Sequence, residues 1–233
     1  MIDESDIETY LIISPKKYSI NLFDKKNLKN LYNEQLNLNG DVSLDINKLS
    51  DFLDNNIFKI EKLTEKFLKN IFIIIQDEKV FNLDIGIKKK NYESKVIKKN
   101  FEVILTEAKD IFKENYQTHK IMHMIINTFY IDEKRYLSFE NDLYGKSLCV
   151  EVKFLSIKEN FTNQLEMTLK KFQIRVIKYL DGNYIKNFFE NGNIEFSEMI
   201  YKINSGCNNN EITLVPKNHK NKGFFEKFFQ LFS

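Results

Sequence analysis

Apolar residues recur along this chain with two different periods, and the switches between them outline its elements. Segments 10–14 (YLIIS), 18–23 (YSINLF) and 30–38 (NLYNEQLNL) alternate apolar and polar positions and are separated by Pro15-Lys16-Lys17 and Asp24-Lys25-Lys26, a pattern that predicts a small strand meander. From Asp45 to Leu68 the spacing becomes three and four, through Leu49, Phe52, Leu53, Ile57, Ile60, Leu63, Phe67 and Leu68, and predicts one long helix or two short ones. IFIII at 71–75 is a bounded β-branched run and predicts a buried strand. Alternation from Lys79 to Ile87 predicts another strand, with a basic turn after Gly86, and a helical stripe runs from Phe101 to Tyr116.

Two long strands follow at 119–132 and 147–157, joined by a polar loop. A helix at 160–171, a strand at 174–180, helices near 183–190 and 194–203, and a last strand at 211–215 complete the pattern. The fold class is therefore α+β.

The last eleven residues, GFFEKFFQLFS, form a two-faced helical pattern. At 100° per residue, Phe224, Phe225, Phe228, Phe229, Leu231 and Phe232 fall within an arc of roughly 160°, with Glu226, Lys227 and Gln230 opposite. The polar stretch from Asn204 to Lys222 precedes it, so the pattern reads as a tethered membrane-surface helix. Lys217, Lys220, Lys222 and Lys227 are placed to meet anionic lipid headgroups. Burying one Phe yields roughly 1.5–3 kcal/mol and ordering each residue costs about 1–2 kcal/mol, so a single copy is expected to bind weakly and reversibly.

Composition narrows the remaining choices. In 233 residues, 42% are hydrophobic and 29% charged, which suits a globular chain with room for one domain or two small ones. A net charge of +2 with Lys and Glu interspersed gives no nucleic-acid footprint. Cys149 and Cys207 form neither a disulfide framework nor a metal pattern, which fits a reducing compartment. The acidic start MIDESDIETY has no signal-sequence pattern, and no apolar run reaches spanning length, so the expected location is the cytoplasm, peripheral on the inner face of the cell membrane. His119 and His123 share one strand face about 13 Å apart, too far for one ion, and no Ser-His-Asp or Cys-His spacing stands out. No catalytic residue, cofactor or metal is expected.

Residues 79–157, read as strand, helix, strand, strand between the strand at 71–75 and the helix–strand pair at 160–180, resemble the bacterial cell-division protein FtsA family. The matching segments are LTEAKDIF at 105–112, HKIMHMIINTFYID at 119–132, NDLYGKSLCVEVKFLSI at 141–157 and the tail GFFEKFFQLFS. The resemblance implies a truncated actin-like first lobe split between 1–78 and 158–216, an inserted strand-helix-strand-strand (SHS2) subdomain at 79–157, and a linker with an amphipathic membrane-binding helix at 217–233. It also implies a non-catalytic adaptor that recruits or links division proteins, FtsZ among them, at the membrane, with self-association between neighbouring subunits. The turn at Ser14-Pro15-Lys16-Lys17 departs from the family's phosphate turn, because Pro15 has no amide to offer and no Gly or Asp is present. After Leu180 no second lobe is expected in these residues. The related pilus adaptor PilM and an ATP-binding relative with a degenerate site are the alternatives. Leu83-Asp84-Ile85-Gly86-Ile87 spells the start of a phosphate motif but runs into Lys88-Lys89-Lys90; this lysine run, with Lys95, Lys98 and Lys99, suits an acidic partner tail or lipid headgroups, and the resemblance implies partner binding on the surface of 79–157.

Overall fold

The computed structural model describes residues 6–38, 44–91, 95–138, 143–190 and 194–213. They divide into two compact units, one from the described residues up to 80 together with 158–205, the other from those of 81–157 together with 206–213.

The first unit is a five-stranded sheet of order β3-β2-β1-β4-β9. Strands β1 (Ile7–Ile13), β2 (Lys17–Asp24) and β3 (Lys29–Asn37) form the antiparallel meander, and β4 (Asn70–Ile75) and β9 (Arg175–Asp181) continue from β1 in parallel. Helices cover both faces, which is why β4 reads as an almost unbroken apolar run, and why Tyr10–Ile13 of β1 is apolar throughout where alternation was expected. Tyr10, Ile12, Ile74 and Leu180 pack with Ile185 of α4 (Gly182–Phe188) and Ile200 and Ile203 of α5 (Phe196–Asn204). Their neighbours in sequence point the other way. There Tyr18 meets Phe52 of α1 (Ile46–Thr64) and Tyr179 donates to Glu166 Oε1 on α3 (Glu159–Lys170) at 2.9 Å.

Helix α1 stops at Thr64, short of the expected Leu68. Glu65 takes a left-handed conformation at φ 58°, Thr64 Oγ1 donates to the Ile60 and Lys66 carbonyls, and the Leu68 amide donates to Glu61 Oε1. Phe67, beyond this stop, is consequently exposed although it continues the helical stripe, and Leu63 in the last turn of the helix is exposed as well. Asn56 occupies a stripe position and is buried, its amide satisfied by the Phe52 carbonyl and the Tyr32 hydroxyl.

The second unit is a four-stranded sheet of order β5 (Phe81–Lys90), β8 (Ser147–Lys158), β6 (His119–Ile131) and β7 (Lys134–Tyr136), with α2 (Lys98–Asn115) packed on it. Phe101, Ile104, Leu105, Ala108 and Phe112 of α2 meet Val150, Val152 and Phe154 of β8 (Ser147–Lys158) and Met124, Ile126 and Phe129 of β6 (His119–Ile131). Strand β7 (Lys134–Tyr136) lies inside the segment expected to be loop. It is reached by a two-residue turn, Asp132-Glu133, with φ of 46° and 71°, the left-handed pair that a tight hairpin needs.

Two further expectations change. Strand β5 (Phe81–Lys90) does not end at Gly86: Lys88, Lys89 and Lys90 pair with Cys149, Leu148 and Ser147, so the lysines belong to the strand and not to a turn. The chain after α5 joins the second unit, so the first unit ends at 205 and not at 216. The reason is backbone pairing along β6: the Ile126 amide donates to the Asn210 carbonyl and the Ile212 amide to the Met124 carbonyl, while Ile212 fills the core of the second unit. The strand expected at 211–215 is, in its described part, a bridge between Ile125 and Glu211.

Candidate functional site

In the first unit the carboxyl ends of the parallel strands β1, β4 and β9 bring Ser14, Gln76 and Asp181 to one edge, the part of an open parallel sheet where ligands commonly bind. Ser14 and Asp181 are committed to hydrogen bonds there, whereas the buried Gln76 Nε2 meets no hydrogen-bond partner among the described residues. The Ser14 amide donates to the Lys17 carbonyl, and the Lys17 amide to Ser14 Oγ, at 3.0 Å each. Pro15 has no amide, which leaves Lys16 as the turn's donor. Asp181 caps α4, accepting from the Asn183 amide at 2.8 Å and the Tyr184 amide at 3.3 Å. Gly182 is required there, because a side chain would collide with Gln76 Cγ and meet Ile74 Cγ2 at 2.9 Å. Lys186 of α4 stands 5.1 Å from the Phe196 ring centroid, and burial, followed by repulsion from Lys17, holds its ammonium below the ordinary lysine range.

In the second unit Lys88, Lys89 and Lys90 end β5 beside the start of α2, and Lys89 pairs with Glu107. Asp84 of the phosphate-like spelling lies in the middle of the strand and accepts from Asn127 Nδ2 at 2.9 Å, so it serves the sheet surface. His119 and His123 both lie on β6. His119 packs against the rings of Phe81 and Tyr116, and buried His123 has Nδ1 2.7 Å from Glu211 Oε1. Among the described residues no group of three or more His, Cys, Asp or Glu gathers as metal ligands. The Cys149 thiol is pushed up by burial and then by Glu151.

The predicted membrane residues Phe224, Phe225, Phe228, Phe229, Leu231 and Phe232, and the headgroup lysines Lys217, Lys220, Lys222 and Lys227, lie outside the described residues. No helix among the described residues is long and apolar enough to cross a membrane. What the sequence reading missed is the apolar company of the lysines. Ile97 and Val103 stand beside them, partly exposed, and the sign available was an apolar residue at the polar positions of the α2 stripe.

No protein-family profile matches the chain, and no curated protein matches it. Solved structures do. The cytoplasmic domain of EpsL, an inner membrane component of the type II secretion system of Vibrio cholerae, is similar at 9% identity over 77% of this chain and 57% of its own, with a TM-score of 0.36. A PilM–PilN type IV pilus biogenesis complex matches at 10% identity over 78% of this chain and 49% of its own, with a TM-score of 0.45. A Bacteroides thetaiotaomicron protein with an actin-like ATPase fold and unknown function matches at 15% identity over 82% and 60%, with a TM-score of 0.32. The chain spans between 49% and 60% of the length of these structures.

Proposed function

We propose that this chain is a non-catalytic adaptor built on an actin-like first lobe, which links partner proteins at the inner face of the cytoplasmic membrane and serves the cell-division apparatus in the manner of FtsA. The observation that carries the reading is the Ser14–Lys17 turn. In an ATP-binding lobe of this kind the corresponding turn offers bare amides to phosphate. Here Pro15 has no amide and those of Ser14 and Lys17 are satisfied within the turn, which leaves the single amide of Lys16, and the nearby Asp181 carboxylate is occupied as a helix cap. Support for the lobe comes from the order of elements, a meander followed by α1, β4, α3 and β9, with a compact sheet-and-helix unit entering between β4 and α3 as an SHS2 subdomain would.

The membrane part of the proposal rests on the terminal phenylalanine stripe, which also favours division over pilus assembly as the system served. Co-sedimentation with vesicles containing phosphatidylglycerol tests it. The full chain is expected to pellet, while a truncation ending at Lys222 and the Phe228→Glu variant stay in the supernatant with unchanged circular dichroism. Equal pelleting of all three would remove the tail from the proposal. Micromolar ATP binding in equilibrium dialysis would remove its non-catalytic part.

A further inference from the structure

Where β5 ends beside the start of α2, the second unit carries a groove of about 410 Å³. Its floor is Ile104 and Leu148, each 1% exposed, and its shoulders are Ile97 and Val103, 38% and 53% exposed. Basic side chains rim it from two elements, Lys89 and Lys90 on the strand and Lys99 on the helix. Lys89 is neutralised by Glu107, whereas Lys90 and Lys99 have no ion-pair partner within salt-bridge distance among the described residues. Glu102, three residues along the same helix, interacts electrostatically with Lys99.

The end of α2 adds to this positive field. Its first turn contains no acidic residue, and the residue before it, Ile97, has no side-chain oxygen to cap the free amides. Instead Asn100 reaches back to accept from the Ile97 amide at 2.8 Å. Helix N-termini carry about half a positive charge, and the first turn adds Lys98 and Lys99 to it. An apolar trough with cationic rims on both sides is the complement of a segment that places one aliphatic side chain between carboxylates.

We propose that this groove docks an acidic segment of a partner protein. One leucine-like side chain sits between Ile97 and Val103 on the Ile104–Leu148 floor, and flanking Asp or Glu side chains meet Lys90 and Lys99. The shape favours a peptide over a bilayer. Lipid takes up apolar groups that stand proud of the surface, and here the most apolar atoms are recessed between the charged rims. The inference rests on the adaptor reading for the existence of a partner, but its test is independent of the tail.

The test is fluorescence anisotropy of the full chain with a labelled decapeptide of Glu and Asp around a central Leu, alongside the same peptide with Ser for Leu and a Lys-based counterpart. The acidic leucine peptide is expected to bind, to weaken at high salt, and to lose about tenfold or more in affinity with Ser for Leu, in the double variant Lys90→Glu/Lys99→Glu and in Val103→Asp. The double variant, altered only at surface positions, should keep its melting curve and gain affinity for the Lys-based peptide. Three results would each overturn the proposal: no binding of the acidic leucine peptide, equal binding with Ser in place of Leu, or undiminished binding by the double variant. Loss of vesicle sedimentation by that same variant with peptide binding intact would reassign the groove to lipid headgroups. Failure of the tail truncation to affect sedimentation would count against the membrane reading alone.

Discussion

Around Asp132, small groups with little individual bulk decide how the long connection after β6 is held. Asp132 Oδ1 and Oδ2 each accept from the Lys146 amide at 2.9 Å, and Oδ1 also accepts from the Ser147 amide at 2.8 Å. Gly145 must be glycine, since a methyl group there would collide with Ile131 Cγ2 and crowd Asp132 Oδ2 at 2.9 Å. Asn91 completes the arrangement by donating to the Gly145 and Lys95 carbonyls. The Lys146 backbone amide, followed by those of Ser147, keeps the Asp132 carboxyl below the usual carboxylate range. An acid whose folded pKa is depressed contributes stability that is full above its unfolded value, about 3.9, and is lost as pH falls through the lower folded value. Asp132→Asn should therefore be less stable than wild type at neutral pH and show a flatter acid branch when urea midpoints are followed downward in pH, the two proteins converging at the acid end. Parallel acid branches would mean that these hydrogen bonds carry no linkage. None of this was visible in sequence beyond the Gly145 turn, because Asp132 and Lys146 are brought together by the fold.

Most elements were legible from periodicity, and the exceptions have separate causes. Strand β7 was read as loop because its turn is Asp132-Glu133, without the Asn-Gly or Asp-Gly signal that usually marks a left-handed pair. The three lysines ending β5 looked like a turn because charge masks a strand pattern, yet β8 runs on opposite them and supplies the ladder. Phe67 continued the α1 stripe and still ended exposed, because the helix stops at a left-handed Glu65. The return of the chain to β6 was invisible for another reason: the backbone bonds of Ile126 and Ile212 depend on an open strand edge that only the assembled sheet creates. Ile212 is 3% exposed in the core of the second unit. Ile212→Ala should cost about 2–5 kcal/mol and speed amide exchange at Ile126, read by urea denaturation and hydrogen exchange. A cost below about 0.5 kcal/mol, the usual size for surface changes, would show that the return segment is not part of that core.

For the whole molecule, the insertion between β4 and α3 makes the first unit a discontinuous domain whose sheet is completed only when β9 pairs with β4. Replacing residues 81–157 with a short Gly-Ser linker should leave a first unit that unfolds cooperatively, because its core and sheet ladders come from its own residues. A broad, non-cooperative melt would contradict that independence. The chain's local patterns by themselves determined where helices and strands form, the mixed α+β class, and the two-faced terminal stripe, since each depends on periods of two or three to four residues that neighbours along the chain supply. Only the tertiary structure decided which strands become neighbours, which amides of the Ser14–Lys17 turn are already used, and that Lys90 and Lys99 line one groove with Ile97 and Val103. Those facts depend on contacts between distant residues, and the pairing that buries both faces of a sheet is a property of the assembled layers, not of any one segment.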